Sequence, residues 1–233
     1  MNRSEVNAII DQAASFMSRQ GMTLPPFAAW RPQKWARLGA EADEIRDCHL
    51  GWDITDFGSG RFRETGLVLL TLRNGHPTKA RYRGKTYCEK AMVVGEGQVT
   101  PMHFHWNKAE DIINRGGGNL LIRFYQATAA EGLARGRSFT LSVDGVRRQL
   151  AAGAVLRLRP GESVCITSRI YHTFWGEPGR GAVLVGEVSK VNDDERDNRF
   201  LDPVGRFPAI EEDVRPTRLL CMEYPRPAHK ARR

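Results

Sequence analysis

The eight residues from position 103 to 110, HFHWNKAE, combine side chains that bind divalent metal ions. Successive side chains of an extended strand alternate between its faces, so His103 and His105 project to the same side and can bind one cation. Lys108 and Glu110 repeat that spacing of two residues. Imidazole binds Mn, Fe, Co, Ni and Zn, a carboxylate favours the harder ions, and no cysteine lies nearby to indicate a closed structural zinc site. The segment therefore predicts a catalytic metal site.

Each of these residues also has an ordinary structural explanation. A single histidine in a strand is usually a hydrogen-bonded polar residue, and a single glutamate is usually solvated. The wider frame favours a metal site: Gly97, five residues, the pair His103 and His105, four residues, Glu110, six residues and Gly117. At every fixed position this frame resembles the first conserved motif of the cupin superfamily.

Cupins take a fourth ligand, a histidine, from a strand in a second motif. Here Gly153 leads through Pro160-Gly161 to His172. The proline and glycine are adjacent where the family usually separates them by one residue, and Gly176 stands where an asparagine is often found. The resemblance implies that His172 completes the set of ligands.

The N-terminal part of the chain has helical periodicity. Ser4 is a suitable N-cap for a helix that is expected to end at Gly21, before two prolines. A second helix is predicted over about Gln33 to Asp47. The first helix presents an apolar stripe that is expected to pack on a β-barrel, formed by Val6, Ile9, Ile10, Ala13, Phe16 and Met17.

After about residue 53 the pattern changes to short strands between turns. Asp144-Gly145 is a strong signal for a tight hairpin. Ten short strands without intervening helices predict an all-β fold, an antiparallel, jelly-roll-like cupin barrel with N-terminal helices packed on it. The segment Ala127 to Arg137 is expected to form a loop or short helix at the barrel mouth. The predicted strands are Leu67–Leu72, Thr86–Val94, Val99–Trp106, Leu120–Ala127, Ser138–Val143, Val146–Leu150, Ala154–Leu158, Ser163–Thr167, His172–Trp175 and Ala182–Val188.

Within the cupins, the chain resembles the D-lyxose ketol-isomerases more closely, from about Trp30 to Tyr224. The resemblance implies a divalent metal, typically Mn²⁺, with Co²⁺, Fe²⁺, Zn²⁺ or Ni²⁺ as alternatives. It also implies interconversion of D-lyxose with D-xylulose, and often of D-mannose with D-fructose. The runs that carry it are Gly51–Gly58, Pro101–His105, Lys108–Gly118, Val191–Asp194, Asp197–Phe200 and Gly205–Pro208.

Such an isomerisation moves one hydrogen between C1 and C2 of an open-chain sugar while the carbonyl and hydroxyl exchange places. Four protein ligands leave about two positions on a six-coordinate Mn²⁺, enough to bind O1 and O2 and stabilise an enediolate. If the hydrogen moves as a proton a base must carry it, whereas a direct hydride shift between C2 and C1 is the alternative. Glu187, on the strand after His172, is the candidate base, and an exposed strand carboxylate is its alternative. Glu110 is less available to act as a base because it is expected to bind the metal.

Other charged residues are candidates for contacts with the sugar. Lys108 is expected to share the face of Glu110 and could hold a sugar oxygen, although an ordinary surface lysine is the alternative. Asp193, Asp194 and Arg199 follow the last predicted strand and could bind sugar hydroxyls, or form a solvated charged loop. The catalytic candidates are thus Lys108, Glu110 and Glu187, and the sugar-binding candidates are Lys108, Asp193, Asp194 and Arg199.

Length and composition fit one domain. The chain has 233 residues, 41% of them apolar, which is enough for a substantial core. We expect a single cupin domain over residues 1–225, with a helical extension over about 1–50 and a disordered basic tail over 226–233. No stretch is long and apolar enough for a membrane span or signal region, so the chain is expected to be soluble and unprocessed. The cysteines are scattered, which predicts reduced thiols and a cytoplasmic location: Cys48, Cys88, Cys165 and Cys221.

The net charge of +8 first suggests a nucleic-acid partner. About half of this charge could lie in the tail, and we find no helix-turn-helix, zinc-finger spacing or aromatic-basic pattern to support such a partner. The expected partners are a monosaccharide and a second copy of the chain in a homodimer, without nucleic acid or membrane. The remaining histidines lack metal-site spacing and are predicted to be non-ligands: His49, His76 and His229.

Two other functions fit parts of the pattern. A cupin dioxygenase would hold Fe²⁺ with the same ligands, although its pocket is expected to be more apolar than one containing Lys108, Asp193 and Asp194. A non-catalytic sugar-binding cupin would not need an inward base. The position of Glu187 therefore distinguishes an isomerase from a binding module.

Overall fold

Antiparallel β-strands make up most of the regular structure in the computed structural model, which describes residues 1–194, 196–205 and 208–226. Within these residues, the α-helices are α1 (Arg3–Arg19), α2 (Pro32–Trp35) and α3 (Asp43–Asp47), and the 3-10 helices are Pro26–Ala29, Ala40–Ala42 and Ala80–Tyr82. The strands are β1 (Gly51–Thr55), β2 (Leu67–Asn74), β3 (Tyr87–Val94), β4 (His103–His105), β5 (Glu110–Gly117), β6 (Leu120–Gln126), β7 (Phe139–Val143), β8 (Val146–Leu150), β9 (Val155–Leu158), β10 (Ser163–Ile166), β11 (Ile170–Gly176), β12 (Val183–Lys190) and β13 (Asn198–Phe200).

The strands form two sheets that pack face to face. Among the described residues, the larger sheet has the order β1-β2-β3-β12-β5-β10-β7-β8 and the smaller sheet has the order β13-β4-β11-β6-β9. Inward side chains of both sheets share one buried cluster, to which the larger sheet contributes Ile112 and Val185 and the smaller sheet contributes Ile122 and Phe124. Burial of these apolar side chains holds the sheets together. The architecture confirms the predicted all-β cupin barrel.

Helix α1 covers the outer face of the larger sheet. Val6, Ile10 and Met17 of its apolar stripe belong to a second buried cluster that includes Leu70 and Leu184 of the sheet. Neighbouring residues of a strand point to opposite faces, so the residues beside Leu184 face the barrel interior. The predicted packing of the first helix on the barrel is therefore confirmed.

The start of α1 differs from the prediction. Asn2, rather than Ser4, is the N-cap, and the Glu5 carboxylate accepts a hydrogen bond from the Asn2 backbone N–H at 2.7 Å. The Asn2 side chain in turn faces the backbone N–H of Glu5, so the two residues form a capping box. The Ser4 hydroxyl instead donates to the Asp213 carboxylate at 2.6 Å.

The continuous helix predicted over Gln33 to Asp47 is wrong, because the chain forms α2, a 3-10 turn and α3 in its place. The Arg46 guanidinium donates hydrogen bonds to the carbonyl oxygens of Leu38 and Gly39, at 2.8 and 2.7 Å. The Glu41 carboxylate accepts the Gly39 N–H at 2.8 Å. These side chains satisfy backbone groups that a continuous helix would have paired, so the helix is interrupted at Gly39.

Most predicted strands are present with adjusted ends, but one is much shorter and three observed strands were not predicted. The strand predicted over Val99 to Trp106 is reduced to β4, because Val99 forms an isolated bridge with Thr65 instead. Residues 127–137 form turns and a bridge, which agrees with the loop rather than the short helix of the two predicted alternatives. The strand prediction missed β1, β5 and β13. In β5 polar side chains occupy inward positions, which hides the apolar alternation of an ordinary strand.

The predicted hairpin at Asp144-Gly145 is confirmed. Strands β7 and β8 pair with Val143 opposite Val146. Both turn residues have positive φ, 49° for Asp144 and 78° for Gly145, as a two-residue type I′ turn requires.

The C-terminal segment, residues 208–226, packs along α1. Arg3 of α1 is 2% exposed and donates hydrogen bonds to the carboxylates of Glu212, at 3.0 Å, and Glu223, at 3.2 Å. The Asn7 side chain accepts the backbone N–H of Thr217 at 3.0 Å. The two ends of the described chain therefore hold each other, and we call Arg3, Glu212 and Glu223 the terminal clamp.

Most of the predicted basic tail, from residue 227 onward, lies outside the described residues. In the part of the chain that the structure describes, we find no helix with the length and apolar character of a membrane span.

Candidate active site

Three histidines of the smaller sheet converge on the space between the sheets. His103 and His105 lie on the inner face of β4, and His172 of β11 is paired directly opposite His103. Their candidate ligand atoms all lie within 4.8 Å of one another. The intervening Phe104 points to the other face and packs edge-on against Tyr171. The predicted alternation along this strand is therefore what brings the imidazoles together.

Backbone carbonyls orient two of the imidazole rings. The Nδ1 of His103 lies 2.8 Å from the carbonyl oxygen of Pro101, and the Nδ1 of His172 lies 3.1 Å from that of Ile170. An Nδ1–H that donates to these oxygens leaves the Nε2 lone pair free for a metal ion. Burial, assisted by the neighbouring rings, holds the pKa of His103 well below its usual value, and burial also lowers the pKa of His105. These two rings are therefore neutral at pH 7.

Glu110 approaches the histidines from the opposite sheet. It is the first residue of β5, and the turn before it is fixed by Asp197, whose carboxylate accepts the backbone N–H groups of Asn107 at 2.7 Å and Lys108 at 3.0 Å. The spacing of Lys108 and Glu110 in the sequence thus reflects a turn that crosses between the sheets, rather than a continuation of the histidine strand.

The Glu110 Oε1 atom has the spacing of a metal ligand. It lies 3.2 Å from the Nε2 of His105 and 3.1 Å from the Nε2 of His172. Ligands at right angles around an octahedral ion with bonds of about 2.1 Å are about 3.0 Å apart. Oε1 is buried without a hydrogen-bond partner among the described residues, which is uncommon for a buried acceptor. Burial opposes the charge of Glu110, but Lys108, His105 and His172 together outweigh burial and hold the pKa of Glu110 well below its usual value.

The donor set fits a divalent cation. Imidazole nitrogens and one ionised carboxylate oxygen suit Mn²⁺, Fe²⁺, Co²⁺, Ni²⁺ or Zn²⁺. The structure brings together the residues that the sequence predicted as ligands: His103, His105, Glu110 and His172.

Lys108 joins Glu110 to a second buried carboxylate. Its Nζ lies 2.9 Å from Glu110 Oε2 and 2.8 Å from Glu187 Oε1. Glu187 faces inward from β12 and is 5% exposed, while Lys108 is 3% exposed. The alternatives of an exposed strand carboxylate and a surface lysine are therefore excluded. Burial would raise the pKa of Glu187, but the charges of Lys108 and Lys90 outweigh burial and lower it.

The sequence analysis missed Lys90, which belongs to the same cluster. Lys90 lies on β3 and is 7% exposed. Its Nζ lies 3.3 Å from both carboxylate oxygens of Glu187 and 2.7 Å from the Oδ1 of Asn192. The sequence pattern could have identified Lys90, because it occupies the same strand face as the core residues Met92 and Val94. A lysine at a core position of a strand predicts a buried ionic partner.

The charged cluster lines a cavity of about 410 Å³ between the sheets, and Asp193 and Asp194 line the same cavity. Phe200 of β13 lines the cavity, and its neighbour Arg199 lies on the opposite face of the strand. The Arg199 guanidinium donates to the Glu131 carboxylate at 2.6 Å. The alternation of side chains in β13 thus directs Arg199 away from the cavity. We therefore leave Arg199 out of the candidate site.

Two of the histidines predicted to be non-ligands also line the cavity. His49 and His76 belong to its wall but not to the histidine cluster found among the described residues. The Nδ1 of His76 accepts the backbone N–H of Lys79 at 2.9 Å, so this ring caps a turn. His229 lies outside the described residues.

The chain is similar to a known family over nearly its whole length. A family model described as D-lyxose isomerase matches residues 1–224. The D-lyxose/D-mannose isomerase of Serratia proteamaculans is 54% identical over 225 residues, which cover 96% of this chain and 98% of that protein. The D-lyxose/D-mannose isomerase of Escherichia coli O157:H7 is 49% identical, with the same coverage of each chain.

Solved structures with a similar fold include two L-ribose isomerases. A mutant of the Acinetobacter sp. DL28 enzyme, in complex with L-ribose, has a TM-score of 0.61 and 15% identity, covering 91% of this chain and 98% of that chain. That of Geodermatophilus obscurus has a TM-score of 0.58 and 17% identity, with the same coverage. At these identities the likeness concerns the fold alone, and it agrees with the two-sheet barrel.

Proposed function

Since the chain belongs to the D-lyxose isomerase family, we propose that this sugar isomerase interconverts D-lyxose with D-xylulose and D-mannose with D-fructose. One structural observation supports this activity independently of family membership. Glu110 has an unpartnered Oε1 beside the histidines, and its other oxygen, Oε2, is joined through Lys108 to a second buried carboxylate, Glu187, in the same cavity. A metal-binding group and a separate inward base are the two parts that aldose–ketose isomerisation by proton transfer requires.

We propose Mn²⁺ as the ion that this enzyme uses. His103, His105, Glu110 and His172 would hold it, since neutral imidazoles and an ionised carboxylate oxygen are suitable donors. A divalent ion bound there supplies Lewis-acid stabilisation of the negative charge that develops on O1 and O2 of the open-chain sugar.

Glu187 is the proposed base that moves the proton between C2 and C1 through a cis-enediol. Its Oε1 accepts hydrogen bonds from Lys108 at 2.8 Å and Ser189 at 3.0 Å. Its Oε2 has only the longer 3.3 Å contact with Lys90 among the described residues. Oε2 is therefore the oxygen with the weaker hydrogen bonding and is the better placed to accept a proton from carbon.

Lys108 is a proposed hydrogen-bond donor and charge-stabilising residue rather than a base. Burial opposes its charge, but Glu110 and Glu187 outweigh burial and raise the pKa of Lys108 above its usual value. The ammonium group therefore stays protonated at pH 7. It can donate a hydrogen bond to a sugar oxygen where negative charge develops.

Asp193 and Asp194 are the proposed partners of the remaining sugar hydroxyls, because both line the cavity that contains Glu187. The charged wall disfavours a dioxygenase, whose substrate pocket we expect to be more apolar. A binding module would not need a buried inward carboxylate such as Glu187. The homodimer and the cytoplasmic location remain predictions, which light scattering and cell fractionation can test.

Purified protein should be depleted of metal with EDTA, reconstituted with single divalent ions and assayed with a panel of aldoses and ketoses. We expect EDTA to abolish conversion of D-lyxose to D-xylulose, and Mn²⁺ to restore it better than Zn²⁺, which tends to bind fewer ligands. An undiminished rate in the chelated protein would refute metal dependence. A reconstituted protein that converts neither D-lyxose nor D-mannose would refute the assigned substrates.

A further inference from the structure

We propose that Lys90 is a positioning residue, which fixes the Glu187 carboxylate for proton transfer and ties it to the cavity wall through Asn192. The inference rests on the proposed isomerase function and extends it to a residue outside the reacting centre. Its basis is the set of contacts that Lys90 makes on each side.

On one side, Lys90 holds the oxygen to which we assign proton transfer. Of the two Glu187 carboxylate oxygens, Lys108 and Ser189 donate to Oε1 and not to Oε2, whereas Lys90 Nζ lies 3.3 Å from both. Rotation about the last side-chain bond of glutamate has broad, shallow minima, so neighbouring contacts must set the orientation of its carboxylate. Among the described residues, Lys90 is the hydrogen-bond partner that restrains Oε2.

On the other side, Lys90 is itself anchored. Its Nζ donates to Asn192 Oδ1 at 2.7 Å, which is shorter than its contacts with Glu187. The backbone N–H of Asn192 donates to Asn74 Oδ1 at 3.0 Å, and the Asn74 amide donates to the carbonyl of Cys48 at 3.3 Å. A continuous series of hydrogen bonds therefore runs from the base to β2 and the end of α3.

This series also reaches the proposed sugar-binding wall. Asn192 directly precedes Asp193 and Asp194, which line the cavity. Lys90 thus links the proposed proton-transferring group to the segment proposed to hold the sugar hydroxyls. Misplacement of a reacting group by about 1 Å costs about 10²-fold in rate, so a link of this kind affects catalysis through the position of Glu187.

A lysine that only neutralised the charge of Glu187 would behave differently from a positioning residue. Neutralisation requires a positive charge near Glu187, which arginine also provides, and it does not require the bond to Asn192. Positioning requires a compact ammonium group at the Lys90 Nζ that donates hydrogen bonds to both Glu187 and Asn192. The planar guanidinium of arginine does not reproduce that geometry.

The test compares Lys90→Met, Lys90→Arg, Asn192→Ala and the double variant Lys90→Met/Asn192→Ala, each reconstituted with Mn²⁺. Lys85→Met is the matched control, because Lys85 pairs with Glu44 away from the cavity. The measurements are kcat and KM for D-lyxose, the metal content, and the primary isotope effect on kcat with D-lyxose deuterated at C2.

We expect kcat of Lys90→Met to fall about 10²-fold, while KM and metal content stay within about threefold. Its isotope effect should rise, because proton transfer becomes the slowest step. Lys90→Arg should stay at least about 10-fold below wild type, and Asn192→Ala should lose about 10-fold. The double variant should be no slower than Lys90→Met, because the two residues act through one contact.

Three results would overturn the proposal. These are a Lys90→Met variant with kcat within threefold of wild type, full activity of Lys90→Arg, and losses that multiply in the double variant. If Lys90→Met does not fold, Asn192→Ala keeps every charge, and an unchanged kcat in that variant would be decisive against the proposal. An inactive wild-type protein would refute the isomerase function itself, whereas an active wild type with unaffected variants would refute this inference alone.

Discussion

The terminal clamp and the cavity cluster both bury charged side chains, and they do so in opposite ways. In the clamp, the Arg3 side chain is 3% exposed, but its partners Glu212 and Glu223 are 55% and 26% exposed. In the cavity, Lys108 and Glu110 are both nearly inaccessible, with side chains 3% and 2% exposed. The clamp therefore keeps its carboxylates hydrated, whereas the cavity removes both signs of charge from water.

The difference in hydrogen bonding is equally clear. The three guanidinium nitrogens of Arg3 each donate to a carboxylate of the C-terminal segment. In the cavity, Glu110 Oε1 and His105 Nδ1 are buried without a hydrogen-bond partner among the described residues. Burying charges costs several kcal/mol per ion unless their partners are well placed. A satisfied pair indicates a structural role, while a buried cluster with an unpartnered ionised oxygen indicates a ligand.

The largest predicted effect comes from removing a donor of the cavity cluster. In His105→Ala we expect the bound metal to be lost and kcat to fall by at least about 10³-fold, since Lewis-acid stabilisation contributes several kcal/mol. Elemental analysis and activity on D-lyxose measure the two effects. Arg3→Met is the control and should keep its metal. Full metal occupancy in His105→Ala would refute the assigned ligand set.

The next effect separates the two carboxylates of the cavity. Glu187→Gln should lower kcat by about 10²-fold or more while metal content stays at the wild-type level, because a general base is lost but no metal ligand. Glu89→Gln is the matched control, since Glu89 lies on the adjacent strand β3 and pairs with Arg73 outside the cavity. Wild-type kcat in Glu187→Gln would remove the proposed base from the mechanism.

A smaller effect is expected in the clamp, and it concerns stability rather than activity. Arg3→Met should lower the melting temperature at pH 7 by about 4 °C, a typical single-residue effect for a chain of this size, with unchanged kcat. Thermal unfolding and activity are measured on the same samples. A loss of activity in folded Arg3→Met would contradict the division between the two regions.

The clamp effect should also depend on pH. The hydrogen bond from Arg3 lowers the pKa of Glu212 below its usual value. This contact therefore stabilises the fold above the unfolded-state pKa of about 4.3, and the contribution is lost as the pH falls through the lower folded-state pKa. The difference in melting temperature between wild type and Arg3→Met should shrink below about pH 4. A constant difference between pH 7 and pH 3 would show that Arg3 acts through packing alone.

The metal-binding half of the site was predictable because most of its ligands are close together in the sequence. His103, His105 and Glu110 lie within eight residues, and alternation along one strand accounts for the histidine pair. His172 required the resemblance to a second cupin motif. The pairing of β11 with β4 places His172 opposite His103, and the spacing of residues along the chain does not predict that pairing.

The rest of the site depends on which strands are neighbours. Lys90 meets Glu187 because β3 pairs with β12, and Asp197 holds the turn before Glu110 from a distant part of the chain. The fold prediction failed for related reasons. Polar inward residues of the site, such as Glu110, hide the strand pattern of β5, and side-chain bonds from Arg46 replace a helix that local propensity favoured.

The central claim is that the cavity cluster isomerises an aldose by proton transfer through Glu187. The most direct test is to convert D-lyxose in D₂O with the Mn²⁺-reconstituted protein and to measure deuterium at C1 and C2 of the sugars, by NMR after removal of protein and metal and before equilibrium. A proton held on a carboxylate exchanges with solvent, so we predict D-xylulose that carries deuterium at C1. Unlabelled D-xylulose would contradict the proton-transfer role of Glu187, and absence of any ketose would contradict the isomerase function.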